Sequence, residues 1–309
     1  MKRSVKRLTL GLATCYMAAG LGGLEPASAQ ENKTPDAVYD LNQEAENLWL
    51  TLSMPFYNKY YYRGIELYSD ASFQPSISLN YALGGGDYGV IGASVWSHVP
   101  LADDQEGVSA FDANGDLFRG ERANKFVEVD PAVNYDLTLG IATFSVGHIW
   151  YTDPHEGTTD IILGGQEIDV GPAAPDTAEF YGGIALDVLG QPSLTVYHDY
   201  RRFEYQYYAL QFSENLDEEM LGDFFGEGFN LTPYALFGFA TSADEVYNDK
   251  SGLKHVNVGV RSTMFLGNIR VTPILQYNFG TDDALNGIER TDNDFVFGID
   301  FAIDSAFAL

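Results

Sequence analysis

Val127-Glu128-Val129-Asp130-Pro131-Ala132-Val133-Asn134-Tyr135-Asp136-Leu137 alternates apolar and polar side chains almost without a break. Val127, Val129, Val133, Tyr135 and Leu137 fall on one phase, and Glu128, Asp130, Ala132, Asn134 and Asp136 on the other. Successive side chains of an extended chain point to opposite faces, so a period of two predicts a strand with one oily and one wet face. The same signal recurs on both sides of this stretch. Upstream, Phe73, Ile77, Leu79, Tyr81 and Leu83 alternate with Gln74, Ser76, Ser78 and Asn80. Downstream, Val256, Val258 and Val260 oppose His255, Asn257, Gly259 and Arg261, while Val271, Leu275, Tyr277 and Phe279 oppose Arg270, Thr272, Gln276 and Asn278. The longest run closes the chain: Phe295, Phe297, Ile299, Phe301 and Ile303, then Phe307 and Leu309.

Alternation suits a soluble sandwich as well as a barrel. Strand length argues for the barrel, since the candidates run about 10 to 13 residues, against about 5 to 6 in soluble sheets and 9 to 11 across a bilayer. Aromatic residues crowd the strand ends (Tyr57, Tyr60 to Tyr62, Tyr135, Trp150, Tyr200, Tyr277 and Phe279), as girdles at two lipid interfaces require. Strands are expected near 47–63, 72–83, 88–99, 125–137, 141–152, 177–188, 193–202, 205–213, 229–241, 253–266, 269–280 and 293–304. Tight turns at Gly84 to Asp87, Thr138 to Gly140, Leu189 to Pro192 and Gly267-Asn268 then fall on one side. Long acidic loops at 100–124, 153–176, 242–252 and 281–292 fall on the other. That asymmetry belongs to outer-membrane barrels, with short turns in the periplasm and long loops outside.

Two features resist the pattern. Residues 214–228 make an oversized turn, in which Leu216, Met220 and Phe224 share the spacing of a short amphipathic helix; it either plugs or caps the lower mouth, or marks a miscounted pair of strands. Pro75, Pro131, Pro233 and Pro273 sit inside expected strands, where each removes a ladder donor, so bulges or rims are expected there.

The 309 residues carry 17 Lys+Arg against 44 Asp+Glu, a net charge of −27. A cationic nucleic-acid surface is excluded on that balance. The 45% hydrophobic content, with 20 Tyr and 20 Phe, excludes a disordered acidic chain. Lys2, Arg3, Lys6 and Arg7 precede the apolar stretch Leu8 to Leu24, and Ala27-Ser28-Ala29 presents a signal-peptidase site. Leu12-Ala13-Thr14-Cys15 has a passing likeness to a lipoprotein box. Residues 1–29 are read as a cleaved signal peptide, 30–46 as a periplasmic segment and 47–309 as the barrel. Beyond the leader no apolar run is long enough for a membrane-spanning helix.

With the apolar phase in lipid, the other phase lines a lumen. Its candidate pore-lining charges are Lys59, Arg63, Arg201, Arg261 and Arg270 against Glu128, Asp130, Asp136, Glu179, Asp187, Asp199, Asp300 and Asp304. So mixed a wall either sets a transverse field at a constriction or closes internal salt bridges that fill and brace the barrel. Glu128 and Asp130 lie about 7 Å apart along one face, where partnering by Arg63 or Arg261 is the plain expectation and a held cation the sharper one. Asp112-Ala113-Asn114-Gly115-Asp116 departs from a calcium loop in the order of its glycine and carboxylates. No hydrolase, zinc-protease or phosphate-loop motif occurs, and Ser94 and His98, four apart on one strand, stand about 13 Å apart, too far for nucleophile activation. No enzymatic activity, cofactor or metal is expected.

The segment Tyr60-Tyr61-Tyr62-Arg63-Gly64-Ile65, followed by Gln74-Pro75-Ser76-Ile77-Ser78-Leu79-Asn80-Tyr81, resembles the opening hairpin of TorF-type porins of Gram-negative bacteria. The last strand resembles the assembly signal of outer-membrane proteins, with Gly298 ahead of Phe301 and Ile303, although the chain runs on to Leu309. The likeness covers mainly residues 48–83 and the final strand, and implies an outer-membrane barrel with pore function. Together these readings predict an all-β, single-chain antiparallel transmembrane barrel of about twelve strands with periplasmic termini. Its expected work is passive diffusion of small hydrophilic solutes or ions with a mild cation preference; the alternative is a closed structural or adhesive barrel acting through its acidic loops. Its expected partners are outer-membrane lipid and lipopolysaccharide, the solutes themselves, and the barrel-assembly machinery through the C-terminal strand.

Overall fold

A computed structural model describes residues 47–102, 108–111, 117–122, 128–152, 158–163, 166–172, 177–201, 204–216, 230–241, 251–280 and 293–307. The leader, residues 30–46, the Asp112 to Asp116 loop and the helical spacing of Met220 and Phe224 lie outside them.

Strand β1 (Leu48–Ser53) runs on into β2 (Phe56–Tyr57). The chain then leaves the wall for a hairpin of β3 (Tyr60–Tyr62) and β4 (Ile65–Tyr68), and returns as β5 (Ser72–Phe73) and β6 (Ser76–Ala82). A 3-10 turn at Leu83–Gly86 leads to β7 (Val90–Pro100). Next come β8 (Val108–Phe111), β9 (Leu117–Arg122), β10 (Glu128–Leu139) and β11 (Ala142–Tyr151). They are followed by β12 (Thr158–Leu163), β13 (Gln166–Pro172), β14 (Thr177–Leu186), β15 (Ser193–Asp199) and β16 (Gln206–Ser213). The chain finishes with β17 (Thr232–Ala240), β18 (Gly252–Arg261) continued by β19 (Met264–Leu266), β20 (Ile269–Gly280) and β21 (Asp294–Phe307).

Counting β1 with β2, β5 with β6 and β18 with β19 as single staves, the wall is a closed antiparallel barrel of twelve. Closure is made by β21, which pairs with β20 on one side and with β1 and β2 on the other, Leu52 opposite Ile303 and Phe56 opposite Ile299. A closed wall leaves no edge, so every wall amide can be paired without water, as a bilayer demands.

The quoted strand keeps its two phases in β10: Val133 is exposed on the outer face while Asp130 and Asp136 are buried inside. Around the barrel the outer positions are apolar and solvent-exposed in the isolated chain, Ile77, Leu79, Phe144, Val146, Phe180 and Phe297 among them. Such a surface is stable only against hydrocarbon. Trp150, Phe180 and Tyr200 pack around His148 on this outer face near the long-loop end, with His148 Nε2 2.9 Å from the Tyr200 hydroxyl. On the inner face, three tyrosine rings lie over glycines directly opposite them: Tyr181 on Gly147, Tyr234 on Gly259 and Tyr57 on Gly298. A side chain at those glycines would occupy the ring's place.

Three expectations change. The first strand was expected to reach 63 but leaves the wall after Tyr57, so Tyr57 and Tyr60 to Tyr62 turn inward instead of joining a lipid girdle. Expected loops 100–124 and 153–176 contain β8, β9, β12 and β13, which pair into a separate four-stranded sheet. The strand expected over 193–202 ends at Asp199, leaving Arg201 exposed beyond the wall. The prolines sit largely at irregularities: Pro75 in the break between β5 and β6, Pro233 at the start of β17, and Pro273 beside the break between β18 and β19, where its carbonyl accepts from Ser262 N. Because β16 pairs directly with β17, the twelve-strand count needs no adjustment around 214–228.

Candidate functional site: an arginine hairpin inside the barrel

The inward hairpin spans the connection between the first two staves. Arg63 has φ +48° and Gly64 φ +86°, the two positive angles of a tight primed turn. Glycine takes this conformation readily; arginine does so at a cost that its surroundings must outweigh. A Cβ on Gly64 would also stand 2.6 Å from that of His255, so the tip fits closely against β18. The hairpin is buried: Tyr60 is 0% and Tyr61 1% exposed, and Arg63, Glu66 and Tyr68 are all below one tenth.

Arg63 is held by three staves and a connection, and a fourth stave braces its carboxylate partner. Its Nη1 and Nη2 donate to the two oxygens of Glu179 on β14 at 2.7 and 2.6 Å, and Nη1 also donates to the Tyr205 hydroxyl at 2.7 Å. The Tyr151 hydroxyl on β11 donates to Glu179 Oε2 at 2.7 Å. The guanidinium carbon lies 4.5 Å from the ring centres of both Tyr197 on β15 and Tyr207 on β16. The remaining contact comes from the hairpin itself, Tyr62 at 4.9 Å. Tyr207 continues the network to His255 Nε2 at 2.7 Å, and His255 Nδ1 meets Asn257 Oδ1 at 3.0 Å.

The electrostatics follow from burial and this pairing. Burial is the largest influence on Arg63 and opposes its charge, but Glu179 beside it holds the guanidinium well above its usual range. Burial pushes the Tyr205 phenol up to about 12, and that of Tyr62 upward as well. Both phenols are therefore neutral around the charged pair.

The hairpin's other anchors are polar too. Lys59 pairs with Glu66 at 3.1 Å and with Asp294 at the start of β21. Tyr61 donates to Glu66 at 2.9 Å, and Tyr60 to Glu128 on β10 at 2.8 Å. His98 stacks on the Tyr60 ring and meets Tyr68 edge to face. Farther from the hairpin, Ser53 and the Met54 amide donate to Asp300, Thr51 donates to Asp304 at 2.6 Å, and Arg270 reaches Asp304 at 3.7 Å. Arg261 lies 5.9 Å from the Tyr234 ring centre.

Of the thirteen expected lining residues, Glu128, Asp130, Asp136, Glu179, Asp199, Arg261, Arg270, Asp300 and Asp304 occupy the inner face of the wall, in phase with their strands' other inward residues, and Asp187 lies exposed just past the end of β14. Lys59 and Arg63 are inside but on the hairpin, and Arg201 is outside the wall. The arginine partner expected for Glu128 and Asp130 goes elsewhere: Glu128 receives Tyr60, and Asp130 Oδ1 receives the Thr152 amide at 3.3 Å. Sequence reasoning missed Tyr151, Tyr197, Tyr205, Tyr207 and His255. For Tyr197 and Tyr207 a signal was present, because each is an aromatic residue on its strand's polar phase.

A twelve-stave closed wall, oily outside and polar within, defines a bacterial outer-membrane β-barrel protein, and the bacterial outer membrane is its location. No family model matches the chain, and no curated protein does. Solved structures similar to it include LpxR from Salmonella typhimurium, with 12% identity and a TM-score of 0.43, covering 83% of this chain and 100% of that one. The COG4313 outer membrane channel from Pseudomonas putida F1 is similar at 9% identity and a TM-score of 0.42, covering 85% and 97%. Outer-membrane expressed OmpT of Vibrio cholerae gives 12% and 0.36, covering 86% and 99%. The expectation of no enzymatic activity does not stand. The physical reason is that a barrel gathers side chains from distant strands, as it gathers Arg63, Glu179 and Tyr207 here, so missing short motifs exclude no chemistry.

Proposed function

We propose that this barrel is a channel for small hydrophilic solutes or ions, narrowed by the Tyr60–Tyr68 hairpin and mildly cation-preferring. The observation that carries the reading is the predominantly polar phase on the inner face of a closed wall whose outer phase is apolar. Lys59, Arg63, Glu128, Asp130, Glu179, Asp199, Arg261, Arg270 and Asp300 line the route, and the acidic excess among the wall residues supplies the cation preference. The likeness of residues 48–83 to TorF-type porins supports the same reading. In it, residues 1–29 are a signal peptide, 30–46 a periplasmic segment, and the final strand the contact with the assembly machinery. Planar-bilayer recording tests the proposal: single-channel steps with a reversal potential shifted toward cations are expected. A barrel without conductance overturns it, and an anion-selective one overturns the charge preference.

One observation favours a second reading, the separate sheet formed by β8, β9, β12 and β13 between wall strands. In that reading the closed barrel displays this sheet as an adhesive surface. Deleting residues 103–127 and 153–176 would abolish surface binding and spare conductance if both activities exist.

A further inference from the structure

The Arg63 cradle has a host and a guest of different origin. The host is wall: Glu179 presents both oxygens, Tyr151 fixes one of them from the side, and the rings of Tyr197 and Tyr207 stand 4.5 Å from the guanidinium carbon. The guest arrives on a hairpin whose two strands pair only with each other, in a sheet of their own that shares no ladder with the wall among the described residues. The guest is also strained, since Arg63 takes a positive φ that arginine seldom adopts. We infer that the Glu179, Tyr151, Tyr197 and Tyr207 cradle is a recognition site for solutes bearing a guanidinium group, and that Arg63 is its built-in competitor.

The chemistry selects the ligand class. A carboxylate met through two parallel hydrogen bonds suits a flat fork of N–H donors, and paired ring faces suit a planar, weakly hydrated cation. An ammonium is compact, strongly hydrated and cannot span both oxygens in this way. Each bond Arg63 makes to Glu179 is one that a free guanidinium makes equally well, without the left-handed turn. Exchange therefore conserves the ion pair while freeing the hairpin tip from the wall. The solute is held beside the hairpin tip and the obstruction is loosened at the same moment.

This inference rests on the channel reading, and its test separates the two. Full-length protein is reconstituted in planar bilayers in potassium chloride, and L-arginine is compared with L-lysine. In the wild type, arginine raises the current at concentrations where lysine does not. In Arg63→Ala the host is vacant from the start, so arginine blocks the current at about one tenth the concentration of lysine. Adding Glu179→Gln removes that difference. Equal block by the two amino acids in Arg63→Ala, or an arginine preference that survives Glu179→Gln, overturns the inference and leaves the channel intact.

If neither protein conducts, the channel reading falls and the site is judged by melting in detergent. There, arginine stabilising Arg63→Ala more than lysine does upholds the site, and equal shifts overturn it. If Arg63→Ala fails to give the heat-modifiable band of a folded barrel, Arg63→Lys takes its place. It retains the charge without the fork, so arginine acts on it at lower concentration than on the wild type; equal concentrations overturn the inference.

Discussion

Arg63 and Glu179, 116 residues apart in the chain, meet through two parallel hydrogen bonds of 2.7 and 2.6 Å in the interior of the barrel. With side chains 2% and 1% exposed, both charges have lost their water, and each is acceptable only because the other is present. The pair locks a hairpin that, among the described residues, no backbone ladder ties to the wall.

Removing one partner should cost more than removing both in proportion. Arg63→Ala or Glu179→Ala alone is expected to destabilise the barrel by about 3 to 5 kcal/mol. The double variant should fall short of the sum by about 2 kcal/mol, the coupling of a contacting pair. Urea unfolding of lipid-reconstituted protein measures this; guanidinium chloride is unsuitable, because the denaturant would compete for Glu179. Additive losses would mean that the two side chains do not interact in solution.

The lipid-facing phase makes a depth-dependent prediction. Val146 is exposed in mid-strand on β11, whereas Leu189, 88% exposed, sits in the short turn after β14. Val146→Arg should cost about 2 to 4 kcal/mol as a charge near the bilayer midplane, and Leu189→Arg about 0 to 1. Folding titrations in lipid vesicles compare them, and equal costs would contradict a spanning strand at Val146.

The tyrosine lying on Gly147 predicts a rescue. Gly147→Ala places a methyl where the Tyr181 ring lies and should cost about 1 to 3 kcal/mol by overpacking. Tyr181→Ala in the same chain should restore part of that loss, readable as the temperature at which the folded band disappears on a gel. No recovery would locate the strain elsewhere.

Alkaline pH should remove the stability that Tyr205 contributes. The phenol's affinity for its proton is raised in the folded barrel, from 10.0 to about 12, first by burial. The folded state therefore favours the protonated form, so this contribution is complete below pH 10 and is lost as pH rises toward 12. The stability advantage of wild type over Tyr205→Phe should shrink across that window and be constant between pH 7 and 9. It is followed by urea midpoints at a series of pH values, and a difference flat to pH 12 would count against the buried phenol.

The wall was legible because its information is local. Strand length, phase and the alternation of short turns with long loops are properties of successive residues, and they located all twelve staves and the inward side of Glu128, Asp130, Glu179, Asp199, Arg261, Arg270 and Asp300. The hairpin was not legible. Tyr60-Tyr61-Tyr62 reads as the aromatic end of a spanning strand, and nothing in those residues says that the chain turns inward at Asn58 instead of continuing up the wall. Arg201 erred for a similar reason, since a strand's last residues carry the same alternation whether or not a partner remains to pair with them.

By itself, then, the amino-acid order determined a closed sheet with oil on one side and polar groups on the other, because side-chain direction in an extended chain is set residue by residue. Only tertiary structure decided what fills the interior. Arg63 could have met any of the inward carboxylates; closure of the wall set Glu179 beside Tyr151, Tyr197 and Tyr207 at the height the turn reaches, and burial made that one ion pair the stable choice.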